Sequence, residues 1–335
     1  MQGGGHLAVL LFFLVSGFII SHVVDKESRT EFAIKRAFRI LPMLFGGVTI
    51  AFIVSKLVLA IGLPGPNFSV ADVLLSASLL DHVIGVYPQV SSVTWTLVAE
   101  IGFYALIVVF YETLARRPML ASYAIISTML AMQIVLCLAF GDRVPAVFFL
   151  KQALFIMVSR AAYLVWSGRA SLLAGACLAA AAVAALFASY LLTPYGRSLL
   201  FVRDSVAYSW VAAMVIFGAA MALRLRRTPS VVRFLGDISY STYLLHLSVG
   251  GFVMSGLVAK AGMAAGLAIP IAAAAVFALS YVTYLTVEVP FQKLGRYWLR
   301  ATPLHAAGRQ RQPDIVAGTA ECEFGPILAH PAQEK

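Results

Sequence analysis

Long apolar runs separated by short polar breaks set the pattern of this chain from its first residues. The runs fall near 6–24, 43–63, 95–115, 119–140, 147–166, 170–192, 205–223, 235–258 and 265–287. Each is close to the roughly 20 residues that a helix needs to cross about 30 Å of hydrocarbon. None shows the alternation of a lipid-facing strand. The pattern predicts an all-α, polytopic transmembrane helical bundle of about nine spans. Between the second and third runs, Pro64, Gly65, Pro66 and Pro88 punctuate a long loop, and Val70 to Ile84 is apolar enough for a short helix at the membrane surface. The Ala-rich stretch 174–189 predicts a closely packed helix. Residues 1–300 form the membrane domain. Residues 301–335 are polar without apolar period, which predicts a disordered cytoplasmic tail.

Charge adds orientation. Lys26, Arg29, Lys35, Arg36 and Arg39 follow the first run. Arg116 and Arg117 follow the third, Arg169 the fifth, Arg224, Arg226, Arg227 and Arg233 the seventh, and Lys293, Arg296 and Arg300 the ninth. Loop 64–94 has no Lys or Arg, and Arg143 and Lys260 stand alone after the fourth and eighth runs; Arg197 and Arg203, after the sixth, fit least well. Basic loops stay in the cytoplasm, so the N-terminus is expected outside and the C-terminus inside an inner (cytoplasmic) membrane. A composition of 61% hydrophobic and 12% charged residues excludes a soluble domain, whose surface needs more charge. The net charge of +10 then reads as topology signalling rather than nucleic-acid binding. Cys137, Cys177 and Cys322 have neither disulfide nor metal spacing, so no metal is expected.

Ionisable groups inside hydrocarbon are expensive, which makes each a candidate for chemistry. Glu100 lies about 8 Å into the third run, at 1.5 Å per residue. His246 lies near mid-bilayer, and Ser239, Thr242 and Tyr243 precede it at helical steps on one face. Glu100 and His246 are the catalytic candidates, with interhelical hydrogen bonding as the alternative for both. Ser16 and Gly17 read as close packing, because no base stands near the serine in sequence. Glu288, just before Pro290, reads as half of an ion pair with a cytoplasmic arginine. Asp81 and His82 lie in the outer loop, where a general acid or base would meet an extracytoplasmic acceptor. Lys151 can snorkel outward; Arg160 can do so inward or contact a phosphorylated ligand. Segment 28–41 predicts a short amphipathic helix on anionic headgroups, stopped by Pro42. Its Arg36 and Arg39 share a face, and arginine pairs bind phosphate bidentately.

Together these stretches resemble the acyltransferase 3 family of bacterial membrane O-acyltransferases. The matching residues run from Phe12-Phe13-Leu14-Val15-Ser16-Gly17-Phe18 through Lys35-Arg36-Ala37-Phe38-Arg39-Ile40-Leu41-Pro42 to Trp95-Thr96-Leu97-Val98-Ala99-Glu100 with Phe103-Tyr104. Ile238-Ser239-Tyr240-Ser241 with Tyr243-Leu244 and His246, and Val287-Glu288-Val289-Pro290-Phe291, complete the order. The resemblance implies a cytoplasmic acyl-CoA donor, with acetyl-CoA the usual one, and a hydroxyl acceptor on an extracytoplasmic glycan or lipid-linked sugar. It implies that Arg36 and Arg39 hold the donor's phosphates, with Glu100 nearer the acceptor. The family usually opens with a further helix carrying an Arg and, eleven positions on, a catalytic His. This sequence starts after that helix, so the expectation is a short member with low or no transfer activity. A non-catalytic remnant and a polytopic carrier are the alternatives. Against a carrier, repeated halves and paired Gly/Pro breaks are not visible.

Overall fold

A computed structural model describes residues 3–86, 88–140, 145–192, 205–223 and 229–301. The expected tail after Ala301, the basic residues Arg143, Arg197, Arg203, Arg224, Arg226 and Arg227, and Cys322 lie outside the described residues.

Helices α1 (Gly3–Val24) and α2 (Arg29–Ala60) open the bundle, followed by short α3 (Val70–Ala77) and α4 (Leu80–Ile84). A 3₁₀ turn at Ser92–Thr94 leads into α5 (Trp95–Val109) and short α6 (Tyr111–Arg116). Then come α7 (Pro118–Phe140), α8 (Pro145–Trp166), α9 (Leu172–Leu191), α10 (Ser205–Ala222), α11 (Ser230–Asp237) and α12 (Ser239–Met254). After a π turn at Ser255–Lys260, α13 (Ala265–Thr283), a second π turn (Tyr284–Glu288) and α14 (Val289–Ala301) form one rod. Among the described residues there is no strand, and 7 helical stretches are long and apolar enough to cross a membrane. Helices α8 and α10 run between them where the fifth and seventh apolar runs predict spans. The chain is an all-α polytopic membrane bundle.

Apolar faces explain the packing. Helix α1 lies between α8 and α10, α12 lies between α2 and α13, and α14 returns to α2. Helix α9 buries Gly175, Leu178, Ala182 and Ala185, the small-residue face expected for close packing. At one end of the bundle, called here the basic end, Ser28 caps α2 reciprocally with Glu31. Asp25 there meets Arg169 at 2.6 Å and accepts a hydrogen bond from Tyr163, while Tyr111 donates to the carbonyls of Val24 and Glu27. The side chains of α11 are exposed, Val231, Val232 and Leu235 among them, while the Phe234 ring meets that of Tyr281 on α13 at 5.6 Å.

Pro42 does not stop the amphipathic segment. Helix α2 runs through it for 32 residues, about 48 Å at 1.5 Å per residue. A proline interrupts one hydrogen bond, and neighbouring helices in a bundle tolerate that loss. Against about 30 Å of hydrocarbon, roughly 18 Å of α2 can extend beyond it. Arg39 stands about 15 Å from the start of α2; Arg36 is half-buried and Arg39 exposed, and both border a cavity between α1, α2, α5 and α12.

Candidate active site

Helices α1, α2, α5 and α12 enclose a cavity of about 90 Å³. Arg36, Arg39, Glu100, Tyr104, Tyr240 and Tyr243 supply its polar and aromatic wall, with Ser16, Ser239 and Phe12 beside them. Glu100 is 6% exposed and accepts a hydrogen bond from Tyr104, one turn later on the same helix. Among the described residues no ion pair within 4 Å joins Glu100 to either arginine. Arg36 rests its guanidinium 5.6 Å from the Phe32 ring, and its Nε is buried without a hydrogen-bond partner. A buried charged donor without a partner is expensive, so the arginine side of the cavity is suited to an anionic or carbonyl oxygen.

The aromatic wall is fixed from both sides. Tyr240 donates to the carbonyl of Ile40 at 3.0 Å, next to Arg39. Tyr243 shares its hydroxyl between Thr96 and the carbonyl of Val93, each at 2.7 Å, and stacks on Phe12 at 5.9 Å. The sequence thus brings Glu100, Arg36 and Arg39 to one place. It does not bring His246 there. His246 is exposed and lines a separate apolar groove between α12 and α13, with Thr242, Gly250 and Val276. Its Nδ1 lies 2.7 Å from the carbonyl of Tyr243. The polar stripe on α12 therefore splits, with Ser239 and Tyr243 facing the cavity and Thr242 and His246 the groove.

The model of the acyltransferase 3 domain matches residues 2–285. The chain belongs to the acyltransferase 3 family. No curated protein and no solved structure matches it significantly. Membership implies a membrane acyltransferase. Two cavity residues of this family member escaped the sequence reading as site residues. Tyr104 had a signal, its spacing of four from Glu100. Tyr240 stood only within the Ile238-Ser239-Tyr240-Ser241 motif, because its partner Ile40 is 200 positions away in sequence.

Other expectations for the acyltransferase change. Glu288 forms no ion pair within 4 Å among the described residues; its carboxylate accepts from the backbone N–H of Ser241 at 3.1 Å and from its hydroxyl. Lys151 does not snorkel. It is 2% exposed, with Nζ 5.3 Å from the Tyr190 ring. Arg160 is equally buried and holds Ser122 at 2.8 Å and Ser21 at 3.2 Å, a clamp joining α8 to α7 and α1. The surface helix expected over 70–84 breaks at Leu79, whose φ of 61° turns the chain and buries Asp81 and His82.

That turn builds a polar cluster. Ser76 donates to Asp81, and His82 Nε2 meets Thr94 at 2.7 Å while Gln89 meets Nδ1 at 2.8 Å. An amide nitrogen only donates, so Nδ1 accepts and the ring proton sits on Nε2. Burial is the main reason that His82 is held below the ordinary imidazole range, against an opposing pull from Asp81. With the folded pKa below the unfolded one, the unfolded chain binds more protons between the two. The neutral ring's stabilisation is present above the unfolded pKa and is lost as pH falls through the folded value. We expect the thermal midpoint to fall between about pH 8 and pH 5, and His82→Gln to flatten part of that fall. Identical pH profiles for the two proteins would contradict the assignment.

Proposed function

We propose that this protein transfers an acyl group, with acetyl the expected one, from acyl-CoA at the cytoplasmic face to a hydroxyl of an extracytoplasmic glycan or lipid-linked sugar. The observation that carries the reading is the cavity in which Glu100, Arg36 and Arg39 meet. Its arginine side has the chemistry to bind a phosphate or thioester oxygen of the donor, with the unpartnered Nε of Arg36 as one donor. The Glu100 carboxylate takes the proton of the acceptor hydroxyl. The new ester C–O bond forms, the thioester C–S bond breaks, and the proton passes to the departing thiolate. The orientation expected from loop charge places the basic end in the cytoplasm, on the side of the donor. His246 lines the other groove, so we assign the proton transfer to Glu100 alone.

The test is transfer of labelled acetyl from acetyl-CoA to extracted glycan in membranes from cells expressing the gene at its native locus. Arg36→Ala with Arg39→Ala should raise the apparent donor KM more than it lowers kcat, because docking groups contribute binding common to ground and transition states. Unchanged donor KM in the double variant would remove the arginines from donor binding. Uptake of solute without transfer would favour a carrier instead.

A further inference from the structure

The rod from Ala265 to Ala301 widens to a π turn at Tyr284–Glu288, just ahead of Pro290. Proline has no N–H and crowds the carbonyl four residues earlier, so a wider turn relieves it. The turn aims Glu288 sideways at the first turn of α12. Helix α12 begins on Ile238, which offers no side-chain cap for its free N–H groups. Glu288, 3% exposed, supplies that cap from 47 positions away by accepting from the N–H and hydroxyl of the fully buried Ser241. A carboxylate at a helix N-terminus is stabilised by both the hydrogen bond and the helix dipole.

The capped turn is the cavity wall, since Ser239, Tyr240 and Tyr243 line the cavity while Glu288 does not. Below it, α14 closes on α2: a Cβ on Gly295 would lie 2.8 Å from Phe38, next to Arg39. The rod therefore grips both walls at the basic end. We infer that Glu288 is a positioning residue, which sets the Ser239–Tyr243 wall against Arg36 and Arg39 through Ser241. The inference rests on reading the cavity as the donor site.

The experiment compares Glu288→Ala, Glu288→Gln and wild type in detergent by amide hydrogen exchange of residues 239–243 and by donor KM and kcat. Alanine should lose protection in that segment and raise donor KM about tenfold with a smaller change in kcat. Glutamine keeps an acceptor for Ser241 and should restore both to within about twofold. Undiminished protection in Glu288→Ala overturns the proposal. So does lost protection with unchanged donor KM, which leaves Glu288 a cap and nothing more, and so does a glutamine variant as damaged as alanine. Should the wild-type protein transfer no acyl group, the function above fails, while protection of 239–243 still decides whether Glu288 places this wall.

Discussion

Glu100→Gln is expected to lower acyl transfer by about 10²- to 10⁴-fold, the usual contribution of a positioned acid–base group. The substitution is nearly isosteric. Its amide oxygen can still accept from Tyr104, so the local packing on α5 is kept while the basic carboxylate is removed. The loss should fall on kcat and kcat/KM together, because the group acts in the transition state. Equal amounts of variant and wild-type protein in the membrane, eluting as the same species on gel filtration, separate chemistry from folding. Transfer within about threefold of wild type in the glutamine variant would remove Glu100 from the reaction, since no Brønsted argument leaves so small an effect. The Arg36 and Arg39 variants then provide the contrast: a KM defect on one side of the cavity, a kcat defect on the other.

The spans were legible because a bilayer fixes both the length and the polarity of each crossing, and the apolar runs obey both. Glu100 was legible for the same reason, as a carboxylate that hydrocarbon does not tolerate without a purpose. Arg36 and Arg39 could be paired from helical spacing alone. What sequence could not supply was the partner of each group. Pro42 reads as a stop in isolation, yet the bundle carries α2 through it. Lys151 and Arg160 read as snorkelling side chains, yet Tyr190, Ser122 and Ser21 meet them inside. The stripe on α12 lay on one face by arithmetic, but two different neighbours divide that face between a cavity and a groove. Glu288 needed a cation by charge logic and found a helix terminus instead. In each case the deciding atom belongs to a helix distant in sequence, and periodicity within one helix carries no information about it.

Gly17→Val is expected to have the largest effect on the fold. A Cβ at Gly17 would lie 2.3 Å from the hydroxyl oxygen of Ser159 and 2.4 Å from the carbonyl oxygen of Ile156. The serine can rotate, but a backbone carbonyl within α8 cannot, so α1 and α8 must move apart. Small residues permit such approaches in lipid, where van der Waals packing rather than water drives helix association. Overpacking of a core costs about 1–3 kcal/mol, and a backbone clash belongs at or above the top of that range. The displacement also threatens the Ser21–Arg160 bond one turn away, where a buried guanidinium would lose a partner. Phe12 and Ser16, on the same helix, would leave the cavity wall. Gly17→Val should therefore show a sharply reduced yield of monodisperse protein and a lowered thermal midpoint, with Gly17→Ala displaced in the same direction by less. Activity should fall with the amount of folded protein, unlike Glu100→Gln, where it falls at constant amount. A valine variant with a wild-type midpoint would mean that α1 is not locked onto α8, and the cavity would lose the helix that closes one of its sides.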